Sequence, residues 1–248
     1  MVMAWLIKDV YVRQGLVIMN MKKIIGYDPG GNNRHGVAVL SVSIEGGRWK
    51  PRSIEVKTLQ CGQSVIELIS KDAPEGNLLA VGIDTLTAWS GSKSGWRPAD
   101  HWLREKYGEV KASVDNPNHI NGSMCLNGAL ILHSLKQRTD RGGIAVTEAH
   151  PKVLYYALTK KRHPWSNNQA MYERELAAKW LFKTMALDVD QDMVSYLCAS
   201  DHDFDALLGA LAALNGLNRE WTTDLHHGAP IFHPFGLSHY WWPPEKAR

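Results

Sequence analysis

The sequence predicts an α/β fold: a mixed sheet with a leading antiparallel three-strand meander, flanked by helices. Two observations carry this expectation. Short strand-type runs at 24–27, 37–43 and 53–59 come first, and the turn-rich "EGGRWKPR" separates the last two. Beyond them, apolar strand-type runs alternate with helix-type segments, which argues one mixed α/β domain over 21–248 rather than two.

The elements follow in order. Ser64-x-x-Glu67 has the form of a capping box and opens a helix to about residue 70. "LLAVGID" at 78–84 is continuously apolar, as in a strand buried on both faces. A polar Gly/Ser-rich stretch follows, and its second half, 98–107, reads as a helix with proline in the first turn. "DNPNHINGS" is a loop, and "MCLNGALILHSLKQR" has helical periodicity. "GIAVTEAHP" is a strand that ends at Glu148, before a proline. Helical segments at 169–186 and 203–217 complete the core. The Trp/Pro-rich tail from Glu220 carries no assignment.

Composition sets the outer bounds. The 248 residues are 44% hydrophobic and 21% charged, ordinary for a globular chain. The formal charge of +3 does not announce a polyanion partner, although a local basic patch would matter more than the total. Cys61, Cys125 and Cys198 form no C-x-x-C pair, which argues against a disulfide framework or zinc ribbon and suits a cytoplasmic location. Residues 1–20 form an N-terminal extension, in which Lys8, Asp9 and Arg13 interrupt the apolar run. It has neither the core of a signal peptide nor the length of a membrane span.

Acids fall at the carboxyl ends of three predicted strands: Asp28, Asp84 and Glu148. In open α/β sheets ligands bind at that edge. A fourth acid, Asp205, lies in "SDHDFDALLGALAAL" with His202 on the same helix face, and Gly209, Ala212 and Ala213 would let this helix lie close to the sheet. Carboxylates gathered in one cleft repel one another unless a cation intervenes, and Mg²⁺ or Mn²⁺ suits oxygen ligands and phosphate substrates. Such an ion, or a pair of them, can activate water against a phosphodiester. His202 would add a ligand or a proton shuttle. The bland alternative is that each strand-end Asp is a turn or cap residue, with Asp201 and Asp203 favoured by the helix macrodipole.

"IIGYDPGG" resembles the first-strand motif of RuvC-type resolvases and other RNase H-like enzymes, and "HDFDALLGALAA" resembles their C-terminal helix. The middle of the chain is similar to a bacterial and archaeal family of predicted RNase H-like nucleases, a domain of unknown function. There "GIDTLTAWSG", "RPADHWLR" and "TEAHPKVLYYAL" correspond to a strand-end aspartate with a glycine-rich loop, an arginine-bearing helix and a glutamate strand exit. The resemblance spans about 24–217 and implies an RNase H-like fold with nuclease activity. Carried over position by position, it implies Asp28, Asp84, Glu148 and Asp205 as ligands of two Mg²⁺ or Mn²⁺ ions, with His202 beside them.

Nucleic acid is the expected partner, and a homodimer is compatible with the sequence. Trp89, Trp96 and Trp102 flank "SGSKSG" with Lys93, Arg97 and Arg104 nearby, a pattern that could stack bases and hold phosphates. Core packing explains tryptophans equally well. His226, His227, His233 and His239 match no common zinc spacing. Two alternatives stay open: a nucleotide-binding phosphotransferase of the actin-like superfamily, with "DPGGNNRHG" cradling phosphate, and a non-catalytic nucleic-acid-binding module.

Overall fold

Apolar alternation from Lys22 onward builds the sheet. The computed structural model describes residues 21–31, 33–115, 122–138, 143–166 and 170–245. The N-terminal extension at 1–20 and most of the "DNPNHINGS" loop lie outside these residues. Strands β1 (Lys22–Asp28), β2 (His35–Glu45) and β3 (Arg48–Leu59) form the expected antiparallel meander. Two further strands, β4 (Leu78–Ile83) and β6 (Ala145–Glu148), extend it in parallel with β1, and the strand order is β3-β2-β1-β4-β6. Between them lies β5 (Trp89–Ser90), paired with a tail strand, β8 (Ile231–Phe232).

Alternation sorts the side chains onto two apolar layers. Ile25, Tyr27, Val37, Val39, Val81 and Ile83 pack with Val65 and Ile69 of α1 (Gly62–Asp72) and Ile131 of α3 (Gly122–Gln137). Ile24, Ala38, Leu40 and Ala80 face the other way, onto α7 (Asp201–Leu217). That helix is buried along most of its length because it sits almost on the backbone of the sheet. A Cβ on Gly26 would stand 1.8 Å from the Ala206 carbonyl oxygen, and one on Gly82 would stand 1.9 Å from that of Gly209. Only glycine permits this approach.

Some boundaries differ from expectation. Helix α1 starts at Gly62 with Cys61 as its N-cap, so the Ser64–Glu67 box is not what opens it. Helix α2 (Pro98–Lys106) and α5 (Met171–Thr184) lie where helices are expected. Two others, α4 (Pro151–Thr159) and α6 (Gln191–Ala199), are additional. The tail forms β7 (Thr223–Asp224) and β9 (Trp241–Trp242), which pair with each other. It also lies along the outer edge of β6: Glu148 N donates to His239 O, and His239 N donates to Val146 O, each at 2.8 Å. Among the described residues no helix is long and apolar enough to cross a membrane.

Candidate acidic site at the sheet edge

Register decides which acids meet. Tyr27, Ile83 and Glu148 lie in one row across β1, β4 and β6. Asp28 and Asp84 come one residue later, so alternation turns them to the face of Gly26 and Gly82, where α7 lies. Asp28 is paired across β2 with Gly36, where a Cβ would stand 2.0 Å from the His202 carbonyl oxygen. The missing side chain admits the first turn of α7. His202 Nδ1 thereby reaches Asp28 Oδ2 at 2.5 Å. Three residues further along the helix, Asp205 Oδ1 meets His163 Nε2 at 2.7 Å. His163 precedes α5 in a segment that sequence spacing never linked to the acids.

The electrostatics match this convergence. Asp28 is 4% exposed, and burial, with the charges of Asp205 and Asp201 adding to it, pushes its carboxyl up to about 6 against the opposing His202 contact. Asp84 is only partly buried by accessible area, yet its carboxyl is held well above the usual range, by burial first and then by Asp28 and Asp205. The bond to Asp28 raises the His202 imidazole. One oxygen of each of the Asp28 and Asp205 carboxylates is therefore held by an imidazole.

Glu148 belongs to a different network. Arg97 Nη1 donates to Glu148 Oε2 at 2.7 Å and Nη2 to Oε1 at 2.6 Å, while Thr87 N and Oγ1 donate to Oε2 at 3.0 and 3.2 Å. Asp100 holds the rest of the guanidinium, at 3.0 Å from Nε and 2.7 Å from Nη2. Burial favours the neutral acid, but the Arg97 charge and its hydrogen bonds overcome this and leave Glu148 below the usual carboxylate range. The expectation that Glu148 offers free oxygens to a metal is thus corrected. Its place in the Ile83 row, one residue out of step with Asp84, puts it against Arg97 instead. The expectation that Arg97 meets phosphate is corrected as well, since it is 2% exposed and serves as an internal counter-ion.

The remaining expected contacts divide. Arg104 is spent on the protein: Nη1 donates to the carbonyls of Lys111 and Val114 at 2.9 and 2.7 Å, and the guanidinium lies 5.0 Å from the centre of the Trp96 ring. Trp102 is edge-on to Tyr107 and Trp242, a packing role. Lys93 and Trp89 are exposed. In the tail, His239 Nδ1 pairs with Asp224 at 2.8 Å, while His226 Nε2 lies 3.7 Å from Glu148. Neither contact makes a zinc site.

A divalent cation fits the aspartates by donor chemistry: burial, with the charge of Asp205 adding to it, holds the carboxyls of Asp28 and Asp84 above their usual range, and a hard cation relieves such a site. Among the described residues, however, no three His, Cys, Asp or Glu side chains already converge on a common point. Two small cavities lie at this edge. One, of about 180 Å³, is lined by Asp84, Glu148, His150 and Lys152; the other, of about 170 Å³, by Lys152, Arg162, His163 and Ser166. A larger hollow of about 380 Å³ lies between α3, β6 and the tail and contains none of the acids, so size alone does not mark the chemistry. The chain matches no protein-family model and no curated protein.

Proposed function

We propose that the protein is a divalent-metal-dependent nuclease with an RNase H-like acidic site, in which Asp28, Asp84 and Asp205 hold Mg²⁺ or Mn²⁺. The observation that carries the reading is that the register of β1 with β4 and the close approach of α7 gather Asp28, Asp84 and Asp205 on one side of the sheet edge. There burial first, and the neighbouring acids second, push the carboxyls of Asp28 and Asp84 upward. A cation bound there supplies Lewis-acid activation of a phosphodiester and of water. The chain's own groups do the rest. His202, with 23% of its side chain exposed, both orients Asp28 and can pass a proton to solvent. His163 fixes Asp205 from the buried side. Arg97 keeps Glu148 charged and locked, which makes that pair a support for the edge of the sheet and not part of the ligand set.

The test is cleavage of single-stranded, duplex and branched nucleic acids with Mg²⁺ or Mn²⁺, beside an Asp28→Asn, Asp205→Asn variant. Divalent-dependent cleavage abolished in the variant is expected, and unchanged cleavage would refute the reading. Among the described residues no three-ligand group is preformed, and a second reading follows from this, a non-catalytic nucleic-acid-binding module on the same edge. It predicts binding that is insensitive to EDTA and no cleavage with either ion.

A further inference from the structure

The chain between Asp84 and Arg97 leaves the acidic edge and returns to it. Asp84, Thr85, Leu86 and Arg97 all line the cavity that also contains Glu148, so the segment between them, with β5, rises from the rim of that cavity. Its base is fixed. Thr87 N and Oγ1 donate to Glu148 Oε2, and Ala88 O accepts from Arg97 Nη1 at 3.3 Å. On the tail side, His233 Nδ1 lies 3.0 Å from Ser238 Oγ, which donates to Thr87 Oγ1. The ribbon of β5 and β8 is therefore tied from both strands to the buried Arg97–Glu148 pair.

What this ribbon presents outward is aromatic. Trp89 is paired directly with Phe232, and opposite residues of an antiparallel pair turn their side chains to the same face, about 5 Å apart at Cβ. Trp89 is 38% exposed and Phe232 68%, although the same tail buries Trp221, Tyr240 and Trp242 in the core. The charge around the pair has one sign. No Asp or Glu occurs between Asp84 and Asp100, or between Asp224 and Glu245. Lys93, by contrast, is exposed on a turn closed by Gly95 N donating to Ser92 O at 3.1 Å, and Ser92 Oγ also donates to Trp96 O at 3.2 Å.

We propose that the Trp89–Phe232 pair is a stacking platform for unpaired bases, and that the strand bound at the acidic edge is single-stranded nucleic acid. An aromatic face accepts any base, so the platform supplies affinity without reading sequence. Lys93 meets a backbone phosphate beside it. In a duplex the bases already stack on one another and offer the ribbon only their backbone. Anchorage on the Arg97–Glu148 pair sets the platform before the strand arrives, which lowers the cost of ordering it. The acid-free surround and the exposed lysine favour a polyanion over an apolar peptide or a second copy of this chain. The choice of nucleic acid rests on the nuclease reading of Asp28, Asp84 and Asp205, from whose edge the ribbon rises.

The experiment is fluorescence-anisotropy binding in EDTA with labelled probes of about 12 nucleotides. The probes are oligothymidylate, an abasic deoxyribose-phosphate strand of the same length, and an oligothymidylate–oligoadenylate duplex. The proteins are the wild type, Trp89→Ala, Phe232→Ala, Trp89→Phe and a control, Tyr172→Ala, which removes an aromatic exposed on α5. The wild type is expected to bind oligothymidylate about tenfold more tightly than either other probe, and each ribbon alanine variant to lose about tenfold, as the loss of one stacked base requires. Trp89→Phe should keep most of the affinity and Tyr172→Ala all of it, while the abasic strand binds every variant alike. No strand binding by the wild type, equal binding of the abasic strand, or alanine variants with wild-type affinity would overturn the platform. A duplex bound best would overturn it too. A changed elution volume of Trp89→Ala or Phe232→Ala in gel filtration would also overturn it, assigning the pair to a contact between copies of this chain. Single-strand binding through the platform without cleavage in Mg²⁺ or Mn²⁺ would refute the nuclease reading and leave the platform standing. Divalent-dependent cleavage with unchanged KM in both alanine variants would do the reverse.

Discussion

Asp28 shows how one residue can sit at a cost that its surroundings only partly offset. Its carboxyl titrates near 3.8 when exposed and at about 6 in the fold. Between those values the folded chain binds more protons than the unfolded one, so its contribution to stability falls as pH rises through this window. Above about pH 6 the full penalty applies. Asp28→Asn keeps an oxygen acceptor for His202 and removes the charge. In EDTA at pH 8 it should be more stable than the wild type by about 1–3 kcal/mol in urea titrations, with the advantage gone below pH 4. Mn²⁺ should raise the melting temperature of the wild type and leave that of the variant unmoved. Arg97 behaves in the opposite way. Its guanidinium satisfies Glu148 and Asp100 together, so Arg97→Met strands two buried carboxylates and should cost about 3–5 kcal/mol in the same assay. Were Arg97 a phosphate contact instead, the variant would lose substrate affinity at unchanged stability.

At the scale of elements, the approach of α7 to β1, β2 and β4 makes the site. Gly82→Ala places a Cβ against the Gly209 carbonyl, and a backbone obstacle cannot swing aside. The expected cost is about 1–3 kcal/mol, read as a lower urea midpoint, with weaker Mn²⁺ binding because Asp205 retreats with its helix. A variant with unchanged midpoint and metal affinity would mean that the helix does not need this contact. The strands and α7 were legible because "IIGYD", "LLAVGI" and "DALLGALAAL" carry strong periods and small residues where backbones meet. Helix α4 was not, since "PKVLYYALT" opens on a proline, carries β-branched Val153 and the Tyr155–Tyr156 pair, and follows a strand directly. Helix α6 did carry a signal: Asp190 caps it by accepting from Met193 N at 2.8 Å. The fate of Glu148 was illegible for a different reason. Whether it joins Asp84 depends on a one-residue register between β4 and β6, which lie about 60 residues apart and leave no local trace. The same holds for His163, whose link to Asp205 exists only after folding.

The whole molecule depends on a tail whose sequence suggested little. Residues from Glu220 onward do three things at once. They cover the outer edge of β6 through the Glu148–His239 and His239–Val146 backbone bonds. They bury Trp221, Tyr240 and Trp242 in the α7-side core, with Trp242 Nε1 donating to Tyr107 Oη at 2.9 Å. They also brace the Glu148 network, since Ser238 Oγ donates to Thr87 Oγ1 at 2.7 Å and Thr87 in turn donates to Glu148. An uncovered parallel edge strand invites pairing with other chains. Truncation after Arg219 should therefore yield a chain that self-associates in gel filtration and loses near-ultraviolet dichroism from its packed tryptophans. Trp242→Ala separates packing from edge protection. It should lower stability by about 3–5 kcal/mol while the protein stays monomeric or keeps its native assembly, because the backbone bonds along β6 survive. Binding of Mn²⁺ by the folded Trp242→Ala protein should match the wild type, since the three aspartates belong to β1, β4 and α7 and none to the tail. If truncation instead left melting temperature and assembly unchanged, the tail would be an appendage and the closed edge of β6 would need another explanation.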